Sequence, residues 1–137
     1  MARALALARG FAERRQLSAD VADRLAIIVE EWLMNVVEHG RAAPAGQIVL
    51  RLDQMGAKLR LSVSDPGVAF DPRLAVFDGP NADRGGGAGL ALIAAWSRIA
   101  SYRRSGGRNR LVLELPATCV VQKVVGPART RSAGTWN

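Results

Sequence analysis

Glu31 and Asn35 stand four residues apart in the run Glu31-Trp32-Leu33-Met34-Asn35, so on a helix they fall one turn apart on the same face. Ile27, Ile28 and Met34 flank them, and a carboxylate and a carboxamide thus interrupt an apolar stripe. Burying such a pair without partners costs a few kcal/mol, which a ligand or metal ion would offset. Taken alone, the pair also fits a solvated helix edge. A second stretch, Asp65-Pro66-Gly67-Val68-Ala69-Phe70-Asp71-Pro72, directly follows a β-like run. An aspartate at a strand end can accept from the exocyclic amine of a purine, and Gly67 lets a planar ring approach the backbone. A Pro-Gly turn with helper aspartates is the plainer alternative. The third stretch, Gly85-Gly86-Gly87-Ala88-Gly89-Leu90-Ala91-Leu92-Ile93, leads glycines into a helical run. Its backbone N–H groups and the positive end of the helix dipole suit a phosphate chain; a bare hinge is the alternative. It is neither a Walker P-loop nor a Rossmann fingerprint, because no Gly-Lys-Ser/Thr follows and no parallel βαβ unit surrounds it.

These stretches need a scaffold, and the pattern between them supplies one. Leu5, Ala8, Phe11 and Ala12 recur at helical spacing, so a short amphipathic helix is expected to end near Gln16. Ser18 is a suitable N-cap for a longer helix with Asp20 in its first turn, running to about His39 before Gly40. Two β-like runs, 47–53 and 58–64, are joined through Gln54-Met55-Gly56-Ala57 as a hairpin. The glycine- and proline-rich segment from Asp65 to Gly89 reads as a long functional loop. A buried helix from Leu90 to about Ile99 follows, then strands 99–104 and 110–115 around Ser105-Gly106-Gly107. Strands joined by tight turns pair antiparallel. The expected fold is therefore α+β: a two-layer α/β sandwich with a mixed, mainly antiparallel sheet and helices on one face. Residues 1–116 form the expected domain, and 117–137 a C-terminal extension with a basic tail.

Composition narrows the classes of function. A chain of 137 residues, 49% hydrophobic and 23% charged, suits one soluble globular domain. The single cysteine, Cys119, has no intramolecular partner, and no Cys/His cluster has metal-ligand spacing. No run reaches the roughly 18 apolar residues of a membrane span, so no membrane association and a cytoplasmic location are expected. The net charge of +7 raises nucleic acid as a partner. However, the arginines are scattered, and the late group Arg98, Arg103, Arg104, Arg108 and Arg110 has only Tyr102 interleaved. A solvated arginine-rich face is the expectation, and nucleic-acid binding is not.

In their order along the chain, the three stretches resemble the N box and the two glycine boxes of the GHKL, or Bergerat-fold, superfamily. Val29 to Gly40 is similar to the Glu-x-x-x-Asn helix of RsbW- and SpoIIAB-type anti-sigma-factor serine kinases, which ends in His-Gly or His-Ala. Asp65 to Pro72 resembles their Asp-x-Gly-x-x-Phe-Asp-Pro box, and Gly87 to Ile93 their Gly-x-Gly-Leu-x-Leu-Ile box. The likeness covers about residues 5 to 115. It implies that Glu31 is a general base, Asn35 a Mg²⁺ ligand, and Asp65 and Gly67 adenine contacts. Gly87 and Gly89 would hold phosphates, with Phe70, Gly85 and Leu90 completing the nucleotide contacts. The implied cofactors are ATP and Mg²⁺. The implied activity is that of an ATP-dependent serine/threonine protein kinase, which sequesters a client such as a sigma factor and phosphorylates a STAS-like antagonist; a homodimer is compatible with it. Two alternatives are a noncatalytic nucleotide-dependent binding module and the detached ATP-binding domain of a sensor histidine kinase. The latter proteins carry their acceptor histidine on a separate helix pair, so His39 is expected to be a helix-end residue near the last carbonyls. Trp32 reads as a core residue.

Overall fold

The computed structural model describes residues 1–39, 46–74 and 88–118. Within them the chain forms helices α1 (Ala2–Arg14) and α2 (Ala19–His39), strands β1 (Val49–Met55) and β2 (Lys58–Asp65), helix α3 (Ala88–Trp96), and strands β3 (Arg98–Ser105) and β4 (Arg108–Pro116). A single 3₁₀ turn, Pro72–Leu74, follows β2. The strands lie in the order β1-β2-β4-β3 and every neighbouring pair is antiparallel. The expected α+β sandwich is thus the observed one, with a sheet that is wholly antiparallel rather than mixed among the described residues.

Local sequence explains the joints. Helix α1 closes with Gln16 in the left-handed region at φ +53; the Leu17 amide donates to the Ala12 carbonyl and the Gln16 amide to Glu13, both at 3.0 Å. Ser18 then caps α2, its hydroxyl accepting from the Val21 amide at 3.4 Å. Gly106 and Gly107, at φ +58 and +72, turn β3 into β4, as a two-residue hairpin requires. The first hairpin is tighter than expected, because β1 runs on through Gln54 and Met55 and leaves only Gly56-Ala57 in the turn.

The period of two along β2 and β4 sends Leu59, Leu61 and Val63, and Leu111, Leu113 and Leu115, to one face. There they pack with Phe11 of α1, Leu25, Ile28, Val29 and Trp32 of α2, and Ile93 of α3. The same alternation carries this inner face one step further, to Asp65 opposite Asn109 at the end of the β2–β4 ladder. Both are buried, at 4% exposure. A polar pair therefore continues the hydrophobic row, directly beneath the C-terminal half of α2.

The opposite face of the sheet is open and basic. Glu114 gathers Arg98 at 2.6 Å, Arg60 at 2.8 Å and Lys58 at 3.6 Å. The Arg60 and Arg98 guanidiniums hold its carboxyl down to about 2. Arg103 and Arg110 face one another across β3 and β4. The late arginines are solvated as expected, and Arg104, though exposed, lies at an inward register position from which it donates to Asn109. No helix among the described residues is long and apolar enough to cross a membrane.

Candidate functional site

Asp65 is the fixed point of the site. Its Oδ1 accepts from the Gly67 amide at 2.9 Å and from Asn109 Nδ2 at 3.0 Å. Asn109 in turn donates to the Val68 carbonyl at 2.8 Å, and its Oδ1 accepts from the Tyr102 hydroxyl at 2.8 Å and from Arg104 at 2.9 Å. Arg104 also donates to the Gly67 carbonyl at 2.9 Å, and the Phe70 amide donates to the Tyr102 oxygen at 3.2 Å. One strand-end carboxylate is thereby held as an acceptor, and the backbone from Gly67 to Phe70 is tied to β3 and β4. Oδ2 of Asp65 takes no hydrogen bond among the described residues. Asn109, Tyr102 and Arg104 had no motif to announce them; the one signal for Asn109 is a polar residue at an inward position of an otherwise apolar strand.

Helix α2 faces this carboxylate. Asn35, 8% exposed, donates from Nδ2 to the Glu31 carbonyl at 2.8 Å, one turn back, and its Oδ1 is uncommitted among the described residues. Trp32 sits between them in sequence and is 2% exposed. It is the core residue expected, but it is also part of the site: its ring stacks on Phe70, with centroids 6.1 Å apart. Trp32, Asn35, Val36, Asp65, Val68, Phe70 and Asn109 enclose a cavity of about 10 Å³, the size of a single water. The indole Nε1 is buried and has no hydrogen-bond partner among the described residues. Met34, expected on the apolar stripe, is instead 42% exposed, because the sheet and α1 cover the Ile28, Trp32 and Val36 side of the helix.

Gly89, in the first turn of α3, is buried against Glu31. A Cβ at this position would overlap the Glu31 carboxylate, so with glycine there the carboxylate can rest against the first turn of α3, and any larger residue would push it aside. The carboxylate lies beside the positive end of α3, a favourable place for negative charge.

The structure therefore brings Asn35, Asp65 and Phe70 around one cavity, with Gly67 fixed to Asp65 and Glu31 next to it against Gly89. Leu90 is not in this group: it packs on the core and lines a separate groove of about 230 Å³ with Pro72, Ile93 and Ile99. Gly85 and Gly87 lie outside the described residues, as do Gly40, Cys119 and the tail from 119 onward.

Helices on one face of an antiparallel sheet, with a helix-borne glutamate and asparagine opposite a strand-end aspartate, define an ATP-binding, kinase-like domain of the GHKL type. A family model described as histidine kinase-like ATPase domain matches residues 1–115, and the chain belongs to that family. No curated protein matches the chain. Among solved structures it is similar to the blue-light activated histidine kinase of Erythrobacter litoralis EL346, with a TM-score of 0.56 and 21% identity over 74% of this chain and 32% of that one. The catalytic domain of histidine kinase ThkA is matched with a TM-score of 0.53 and 19% identity, over 72% of this chain and 70% of that one. The Acinetobacter baumannii histidine kinase AdeS gives 0.50 and 17%, over 72% and 48%. The chain spans 32% of the first of these proteins and 45% of the shorter histidine kinase domain from the same source. These likenesses concern the fold.

Proposed function

We propose that this domain is an ATP-dependent serine/threonine protein kinase of the partner-switching type, which holds a client such as a sigma factor and phosphorylates a STAS-like antagonist. The observation that carries the reading is the placement of Glu31. Its carboxylate stands one helical turn from Asn35 and beside the first turn of α3, where a phosphate chain would meet backbone N–H groups. A serine or threonine hydroxyl must lose its proton to attack phosphorus, and a carboxylate at that point can accept it. An imidazole acceptor brings its own lone pair and has less use for such a base.

The residues fit an adenine nucleotide. Asp65 is oriented as an acceptor by Asn109 and Gly67, and Trp32, whose buried N–H has no partner among the described residues, lines the same cavity. Among the described residues no cluster of three His, Cys, Asp or Glu could hold a metal alone. That suits Mg²⁺, which is bound by one or two protein oxygens with phosphates and waters completing its octahedron. Asn35 Oδ1 would be the protein oxygen, and the ion would neutralise charge on the phosphates.

The test is transfer from labelled ATP with Mg²⁺ to a STAS-domain protein encoded beside this one. Acid-stable phosphate on a serine or threonine is the expected product. Acid-labile phosphohistidine on a supplied acceptor would favour the detached histidine-kinase domain. Binding of ATP with no transfer to either acceptor would leave a noncatalytic binding module.

A further inference from the structure

We infer that the Trp32 indole N–H is a nucleobase donor that works beside Asp65, so that base identity is read by one acceptor and one donor rather than by the aspartate alone. The inference rests on the adenine-nucleotide reading above and goes beyond it in assigning a recognition residue. Two buried side-chain nitrogens among the described residues lack partners, Trp32 Nε1 and Arg60 Nε. Arg60 lies on the open face of the sheet and already engages Glu114 through its terminal nitrogen. Trp32 has no other polar side-chain atom, so among the described residues its side chain makes no hydrogen bond. A leucine or phenylalanine would fill the same core position without that penalty.

The neighbours of the indole narrow what can satisfy it. Around the cavity, the Asn109 amide nitrogen is engaged with Asp65 and Val68, and its oxygen with Tyr102 and Arg104. Asn35 Nδ2 donates to its own helix. What remains among the described residues is acceptor capacity at Asp65 Oδ2 and Asn35 Oδ1, and the indole N–H as a buried donor without a partner. A purine that carries an exocyclic amine matches this arrangement: the amine donates to Asp65, and a ring nitrogen flanking it, N1 or N7, accepts from Trp32. Guanine sets a carbonyl oxygen against the aspartate instead. The cavity of about 10 Å³ is far smaller than a base, so the Trp32–Phe70 ring pair must part to admit one. The pair is closed in this structure, and the N–H is left without a partner.

The test is calorimetric titration of the full chain and of Trp32→Phe with ADP, 1-deaza-ADP and 7-deaza-ADP, each analogue lacking one of the two flanking acceptors. The wild type is expected to bind one analogue about tenfold more weakly than ADP. Trp32→Phe is expected to bind ADP about tenfold more weakly and to treat ADP and that analogue alike. Equal binding of ADP and both analogues by the wild type, or an undiminished analogue penalty in Trp32→Phe, would overturn the assignment. A wild type with no affinity for ADP would remove the nucleotide reading itself, and this inference with it. Should the variant not fold, the indole ¹⁵N–¹H resonance of wild-type Trp32 serves instead. At saturation its proton should shift downfield with ADP, as a new hydrogen bond makes it do, and not with the penalised analogue; an equal downfield shift with both would overturn the proposal.

Discussion

Asn109 is the residue on which the geometry of the site most depends, and its replacement by alanine and by aspartate should have different consequences. Alanine removes four hydrogen bonds of 3.0 Å or shorter, to Asp65, Val68, Tyr102 and Arg104. Tyr102 keeps the Phe70 amide and Arg104 keeps the Gly67 carbonyl, so the loss is partly cushioned. At about 1 kcal/mol per bond, and somewhat more for the bonds to charged groups, Asn109→Ala should cost about 3–4 kcal/mol. For a domain of this size that lowers Tm by about 12–16 °C. Asn109→Asp keeps the size but sets a carboxylate oxygen about 3 Å from Asp65 Oδ1, where two charges cannot both persist. One carboxyl pKa must then rise in the folded state above its unfolded value of about 3.9. A raised folded pKa contributes stability that is complete below the unfolded value and is lost as pH rises through the folded one. The aspartate variant should therefore be no more stable than the alanine variant at neutral pH and should gain on it steadily toward about pH 4. Taking the difference between the two variants cancels every other titrating group. Thermal and urea unfolding across this range provide the measurement. A cost below about 1 kcal/mol for Asn109→Ala would refute the reasoning, as would an aspartate variant that parallels the alanine variant at every pH.

Three further outcomes follow from the site and its surroundings. Glu31→Gln should leave ATP affinity within a few-fold while slowing transfer by roughly 10²–10⁴, whereas Asn35→Ala should weaken Mg-ATP binding as well; single-turnover assays with a verified acceptor separate the two. Gly89→Ala should push the Glu31 carboxylate off the first turn of α3, because the new Cβ overlaps it, and should therefore slow transfer more than it changes stability in urea melts. Glu114 has its carboxyl lowered from 4.5 to about 2 by Arg60 and Arg98. Its contribution to stability is thus present above its unfolded value and lost as pH falls toward 2, and Glu114→Gln should flatten that part of the acid-unfolding profile.

Much of this was legible in the sequence because it is local. Helix α2, both hairpins and the strand leading into Asp65 are set by period, cap and turn residues within a few positions. The pairing of Glu31 with Asn35 needs only the helical repeat. The support for Asp65 was not legible, since Asn109 lies 44 residues away and reaches it only through the β2–β4 register. Arg104 reads as one more surface cation and is exposed, but only the hairpin register shows that its guanidinium reaches Asn109 and the Gly67 carbonyl. Trp32 reads as a core residue and is buried, but its sequence position does not show that it also lines the cavity beside Asp65. Met34 shows the same ambiguity in reverse: an apolar residue on the expected stripe remains exposed, because helical spacing places a side chain without saying what will cover it.

The open face of the sheet gives the molecule a physical character of its own. Register places Arg51, Lys58, Arg60, Arg98, Arg103, Arg108 and Arg110 on it, against the carboxylates of Asp53 and Glu114. Two copies approaching face to face at low ionic strength therefore meet a repulsive field. Among the described residues no further strand pairs with the outer edge of β1, which exposes Val49 and Met55, and such an edge is where strands of separate molecules tend to join; the field acts against that approach. Salt shortens the reach of the field from about 30 Å at 0.01 M to about 3 Å at 1 M, and nothing of comparable range replaces it. The colloidal behaviour of the domain is therefore expected to follow ionic strength, with concentrated salt lowering the barrier that dilute buffer leaves in place.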